Sequence, residues 1–123
     1  MGAGKTTIGK LLAEKLNVNF EDLDEMIKTE YGLSINEIFS KYGETTFRSA
    51  ESNALISSTG NVISCGGGII LDKKNRDYIN EGLSFFLNVD LAELEKRLKY
   101  QNSRPLLDSD NLNKTLNSIW KER

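Results

Sequence analysis

The sequence predicts an α/β fold, a parallel sheet flanked by helices in one small domain. Three observations predict it. A glycine-rich stretch, Gly2-Ala3-Gly4-Lys5-Thr6-Thr7, runs straight into a helical face with Ile8, Leu11, Leu12 and Leu16 at i, i+3, i+4 and i+8. Two short apolar runs, Val62 to Cys65 and Leu83 to Val89, read as buried strands. Amphipathic helical segments alternate with these runs, as they do when crossover helices cover a parallel sheet.

Taken in order, residues 5–16 form the first helix, and Asn17 is its stop. A short extended piece runs from Val18 to Leu23 and ends in Glu21-Asp22-Leu23-Asp24. A second helix carries Met26, Ile27 and Tyr31 and ends at Gly32. Ser34-Ile35-Asn36-Glu37 is a capping box, so a third helix starts there with Ile35, Ile38, Phe39 and Tyr42 inward. Gly43 breaks it, and a fourth helix runs from about Glu44 to Ser58. Thr59-Gly60-Asn61 is a turn into the strand at Val62, which leads into Gly66-Gly67-Gly68. Asp72 caps a short helix to about Asn80. After the strand at Leu83 to Val89, Asp90 and Glu93 open a helix that buries Leu91, Leu94 and Leu98. Residues 101–111 are a polar loop holding the only proline, and a last helix places Leu112, Leu116, Ile119 and Trp120 on one face.

Composition narrows the function. The chain has 123 residues and a net charge of −2, so no overall basic field points to nucleic acid. No apolar run approaches the ~18 residues that cross a bilayer. Cys65 is the single cysteine, which leaves no disulfide framework, and with no histidine any catalytic base must be a carboxylate, a lysine, a tyrosine or a water. These features fit a cytoplasmic protein without a nucleic-acid or membrane partner.

The first stretch matches the second half of a phosphate-binding loop, G-x-G-K-[ST]. Glycines let backbone N–H groups turn onto phosphate oxygens, and the helix N-terminus adds its own N–H groups and dipole. Lys5 would reach the β/γ-phosphates and Thr6 would ligate Mg²⁺. A plain glycine turn before a helix is the other reading. The full motif has a further glycine three residues before Gly2 and a strand before that. The expectation is therefore that the chain begins inside its own motif, with Met1 an internal methionine or the edge of a piece.

Other residues carry two readings each. Asp22 and Asp24 suit a helix N-terminus, where the dipole favours acids. They also suit phosphoryl transfer, which needs a metal anchor and a partner for the acceptor hydroxyl. Arg48 is a helix-surface charge or a fork for a substrate carboxylate. The triple glycine is a loose turn or a point of close backbone approach. Arg104 belongs to an ordinary linker or to a lid over phosphates. Arg97 lies on a charged helix face, and Phe39 and Phe47 are core or pocket wall. Cys65 reads as a small buried apolar residue.

The ordered set GAGKTT, Asp22-x-Asp24, Phe47-Arg48, the triple glycine, Arg104-Pro105-Leu106-Leu107 and Lys121-Glu122-Arg123 resembles the shikimate kinase family over the whole chain. The resemblance implies a P-loop, nucleoside-monophosphate-kinase-like fold and transfer of a phosphoryl group from ATP to the 3-hydroxyl of shikimate, in aromatic amino-acid biosynthesis, with Mg²⁺. It implies that Gly2, Ala3, Gly4, Lys5, Thr6 and Thr7 hold ATP and that Asp22 holds Mg²⁺ through water. Asp24 would bind the shikimate hydroxyls and assist proton removal. Arg48 and Arg123 would grip the substrate carboxylate, and Gly66, Gly67 and Gly68 would touch the substrate through their backbone. Arg104, in a lid at about 101–111, would close over the phosphates, and Arg97 would pack on adenine. Phe39 and Phe47 would wall the shikimate pocket. The full-length form is expected to be a monomer.

Two departures from the family pattern accompany the resemblance. The first strand, which lies at the sheet centre, and the last strand with its helix are without counterparts in this sequence. The strands present would then be the second, third and fourth, with a gap between the third and fourth. The expectation is a chain that does not close its sheet and is unstable or inactive alone. The alternatives are another small-molecule kinase of the gluconate type and an inactive nucleotide-binding fragment.

Overall fold

The computed structural model describes residues 2–98 and 112–122. The expected lid at 101–111, with Arg104, and the terminal Arg123 lie outside the described residues. Helix α1 (Lys5–Leu16) starts from Gly4, whose φ of 87° is left-handed and open to glycine at no steric cost. It stops at Asn17, also left-handed, whose N–H and the next close onto Glu14 and Ala13 carbonyls. Strand β1 (Phe20–Asp22) follows, and α2 (Leu23–Tyr31) starts at once because Asp22 caps it, its Oδ1 accepting from the Asp24 N–H at 3.0 Å.

The Ser34 capping box is formed in both directions with Glu37 and opens α3 (Ile35–Ser57). Gly43 breaks α3 internally, with φ 80° and ψ 168°, so the two expected helices are the two arms of one kinked element. Strand β2 (Val62–Ser64) lies parallel to β1, in the register Phe20 to Val62, Glu21 to Ile63 and Asp22 to Ser64. A 3₁₀ turn at Ile69–Leu71 and α4 (Lys73–Ile79), capped by Asp72, complete this part. Helices α5 (Leu91–Leu98) and α6 (Leu112–Glu122) pack on each other.

The main core joins Leu23 and Ile27 of α2 to Ile38, Phe47, Ala50, Ala54 and Leu55 of α3 and to Ile69. Leu23 and Ile27 are fully buried, and each contributes about 1.5–3 kcal/mol. That packing, rather than intrinsic propensity, holds a nine-residue helix that would be marginal in isolation. A second cluster forms from Leu94, Leu98 and Leu116, with Ala3 of the phosphate loop against it.

Three expectations are corrected. Leu83 to Val89 is in no ladder: among the described residues the sheet has two strands, β1 and β2, so this run has no backbone to pair with, and Leu83, Phe85 and Phe86 are largely exposed. The α1 stripe of Ile8, Leu11 and Leu16 is also exposed, while Ala13 is buried and α1 meets β1 at Gly9. At Gly9 a β-carbon would come within 2.5 Å of the Phe20 ring, so helix and strand touch where the side chain is missing. Tyr42 and Trp120 are half exposed, lying at the edge of the packing and not inside it.

Candidate active site

The start of α1, the end of β1 and the end of β2 come together on one side of the sheet, as strand carboxyl ends do in open α/β folds. The Thr6 hydroxyl donates to Asp22 Oδ2 at 2.6 Å, tying the phosphate loop's helix to the strand end. Lys5, Asp22 and Glu51 all lie near enough to act electrostatically on Cys65, next after β2. Burial pushes the Cys65 thiol up to about 11, with Lys5 partly opposing and the two carboxylates adding to the rise. Gly2 packs on Leu98 and Leu94 of α5, and Arg97 donates from Nη1 to the Gly2 carbonyl at 3.2 Å and from Nε to Glu93 at 2.8 Å. Arg97 thus braces the phosphate loop against α5.

A second group faces the triple glycine. Arg48 donates from Nη1 to Glu51, and from Nε and Nη2 to Glu44 Oε1 at 3.1 Å and 2.9 Å. Burial alone lowers the Arg48 pKa, but the Glu51 and Glu44 carboxylates outweigh it and hold the guanidinium above its usual range. Phe47, in the core, lies beneath the guanidinium, with Cζ 5.5 Å from the ring centroid. Phe39 packs on Phe47 with ring centroids 4.7 Å apart.

The glycines are what let this group close. A β-carbon on Gly66 would overlap Glu51 Oε1 and lie 3.6 Å from Asp24 Oδ1. One on Gly68 would overlap Arg48 Nη1 and lie 2.6 Å from Cζ and 2.8 Å from Nη2. Gly67 lies between them, half-buried. The loop is moored from behind by the buried Asn75, which donates to the Ile69 carbonyl at 3.2 Å and to Ser52 Oγ at 2.9 Å. Ser52 in turn donates to the Arg48 carbonyl at 3.1 Å.

The sequence-predicted residues therefore fall into two neighbouring sets. Gly2, Ala3, Gly4, Lys5, Thr6 and Thr7 lie with Asp22 and Arg97. Asp24, Arg48, Gly66, Gly67, Gly68, Phe39 and Phe47 form the other set. Arg104 and Arg123 lie outside the described residues. Sequence reasoning missed Glu44, Glu51 and Asn75. Helical spacing could have found the first two, since Glu44 and Glu51 stand four before and three after Arg48. Nothing in the sequence marks Asn75.

Thr6 and Asp22 present hard oxygen donors side by side at a phosphate loop, which fits Mg²⁺ better than a softer metal. No cluster of three or more acidic, cysteine or histidine ligands exists among the described residues.

The family model described as shikimate kinase matches residues 1–123. The chain is 42% identical over 126 residues to a shikimate kinase of Synechococcus elongatus, with all of this chain and 66% of that protein covered. It is 42% identical over 127 residues to one of Geobacter sulfurreducens, covering 70% of it. The chain thus spans about two thirds of the length of these curated relatives. Among solved structures, a shikimate kinase from Acinetobacter baumannii in complex with shikimate superposes with a TM-score of 0.93 at 36% identity, covering 98% of this chain and 70% of that one. A shikimate kinase from Bacteroides thetaiotaomicron gives 0.89 at 39% identity, covering 100% and 74%. With the family model matching residues 1–123, the chain belongs to the shikimate kinase family.

Proposed function

We propose that this chain takes part in transfer of the γ-phosphoryl group of ATP to the 3-hydroxyl of shikimate, giving shikimate 3-phosphate for aromatic amino-acid biosynthesis. The observation that carries the reading is the convergence of Asp24 and Arg48 on one glycine loop, next to a phosphate loop tied to the same strand end by Thr6 and Asp22. A hydroxylated carboxylate is the ligand class that needs both a carboxylate for its hydroxyls and a guanidinium fork for its acid.

In this mechanism Gly2, Ala3, Gly4 and Thr7 offer backbone N–H groups to the phosphates, and Lys5 stabilises charge moving onto the β–γ bridge. Thr6 and, through water, Asp22 would hold Mg²⁺, which would neutralise phosphate charge. Asp24 orients the attacking hydroxyl and assists loss of its proton. Arg48, with Arg123, fixes the acid end of the substrate, Arg104 closes over the phosphates from a lid at 101–111, and Arg97 steadies the nucleotide end. Phe39 and Phe47 wall the shikimate side. Positioning and electrostatics do the catalysis, without a covalent enzyme intermediate. The same reading sets the protein in the cytoplasm as a monomer of one domain, without nucleic-acid or membrane partners. No helix among the described residues is long and apolar enough to cross a membrane.

The test is ADP release from Mg-ATP with shikimate, with gluconate, and with neither. Shikimate-dependent release is expected. Release that depends on gluconate overturns the substrate, and nucleotide binding without acceptor-dependent release overturns the activity of this chain.

A further inference from the structure

A guanidinium offers two edges for paired contact with a carboxylate, Nη1–Nη2 and Nε–Nη2. In Arg48 the first is closed from within. Glu51, only 2% exposed, takes Nη1, and the α-carbon of Gly68 stands where a β-carbon would lie 2.6 Å from Cζ. The second edge is the one left for a ligand, and Glu44 Oε1 already holds both of its nitrogens, at 3.1 Å and 2.9 Å.

The two carboxylates differ in how firmly they are placed. Glu51 is buried, and a buried ion pair is costly to break by losing one partner. The Glu44 side chain is 53% exposed, and exposed ion pairs are weak. Glu44 is also the first residue after the Gly43 break, at the N-terminal end of the second arm of α3, where a carboxylate is favoured even without Arg48.

We propose that Glu44 stands in for the substrate carboxylate on Arg48 in the ligand-free protein, so that substrate binds by exchanging one carboxylate for another. This rests on the shikimate reading above. Glu44 is then an affinity-setting residue. It keeps the fork preformed, and it imposes a competition that a weak or misplaced anion does not win.

The experiment is calorimetric titration of shikimate into the wild-type chain and into Glu44→Gln, Glu44→Ala and Glu37→Gln, with the Arg48 Nε–H signal followed by NMR. Glu37→Gln removes the same charge from the same helix while a glutamine keeps the capping box. Both Glu44 variants are expected to bind shikimate about two- to fivefold tighter, the factor that release of a half-exposed ion pair returns. Glu37→Gln is expected to bind as wild type, and the Nε–H signal is expected to shift on removal of Glu44. Unchanged or weaker binding in both Glu44 variants overturns the exchange and leaves the substrate reading intact. Wild-type chain that binds Mg-ATP but no shikimate overturns the substrate reading, and the exchange with it.

Discussion

Thr6 and Asp22, sixteen residues apart, are joined by a single 2.6 Å hydrogen bond from hydroxyl to carboxylate. Asp22 meanwhile caps α2 with its other oxygen. One side chain therefore links the phosphate loop, the end of β1 and the start of the helix that carries Asp24. Replacing Asp22 with alanine is expected to raise the Mg²⁺ concentration needed for half-maximal rate by roughly 10- to 100-fold, the range typical of lost outer-shell support. Thr6→Ser, which keeps the donor, is expected to stay close to wild type. A magnesium titration of the initial rate measures both.

Lys5 is the one cation the phosphate loop itself supplies to the transferring group. Lys5→Met is expected to lower kcat by at least about 10²–10³-fold, as loss of a preorganised charge partner does. Thermal stability is expected to hold, because Lys5 lies at the helix start and outside both core clusters. Single-turnover rate and melting temperature separate the two effects.

Gly66 and Gly68 have ordinary backbone angles, so alanine there is a question of space alone. At Gly68 the obstacle is the Arg48 guanidinium, and moving it aside breaks its pair with the buried Glu51. Gly68→Ala is expected to raise the shikimate KM and to lower stability. At Gly66 the obstacle is Glu51 itself, which is buried and paired. Gly66→Ala is expected to cost about 1–3 kcal/mol of stability, the usual range for overpacking. Urea midpoints beside KM values check both.

Glu21 accepts from the Ser58 hydroxyl, from the Gly60 N–H and from both groups of Thr59, and these bonds, Ser58 foremost, hold its carboxyl below the usual range. A lowered folded pKa gives stability that is fully present above the unfolded value and is lost as pH falls through the folded one. The stability gap between wild type and Glu21→Gln is therefore expected to be open at neutral pH and to close in acid. Melting temperatures from pH 7 down to pH 3 would reveal a gap that fails to close.

Cys65, with its thiol pushed up to about 11 by burial, is expected to stay almost wholly protonated at pH 8. Alkylation by iodoacetamide is expected to be far slower than that of free cysteine and to accelerate in denaturant. Labelling at the free-cysteine rate in the native state contradicts the burial.

What the sequence disclosed was local. The left-handed stop at Asn17, the Ser34–Glu37 box, the Asp72 cap and the break at Gly43 each depend on one to four residues, and all are in the structure. What it hid was pairing between distant parts. Leu83 to Val89 has the residues of a strand, but a strand needs a neighbour and none is present among the described residues. The stripe on α1 reads as core until Ala13 is found buried and Gly9 set against Phe20 of the sheet instead. In the site, the phosphate-loop motif around Lys5 was legible from its spacing, and the roles expected of Asp22, Asp24 and Arg48 only through the resemblance to the family. The mooring by Asn75 was not, since it depends on where the chain returns after the glycine loop.

The register that sets Asp22 opposite Ser64 is held at its far side by Glu21 gripping the turn at residues 58–60. Because side chains alternate along a strand, a slip of one residue would turn Ser64 over and draw the glycine loop away from Arg48 and Asp24. A single inserted or deleted codon between Ser58 and Val62, in a turn with no chemistry of its own, would then disable the protein as surely as loss of the lysine. Deep insertion–deletion scanning should find that turn nearly as intolerant as the phosphate loop, while point substitutions at Asn61 pass unnoticed.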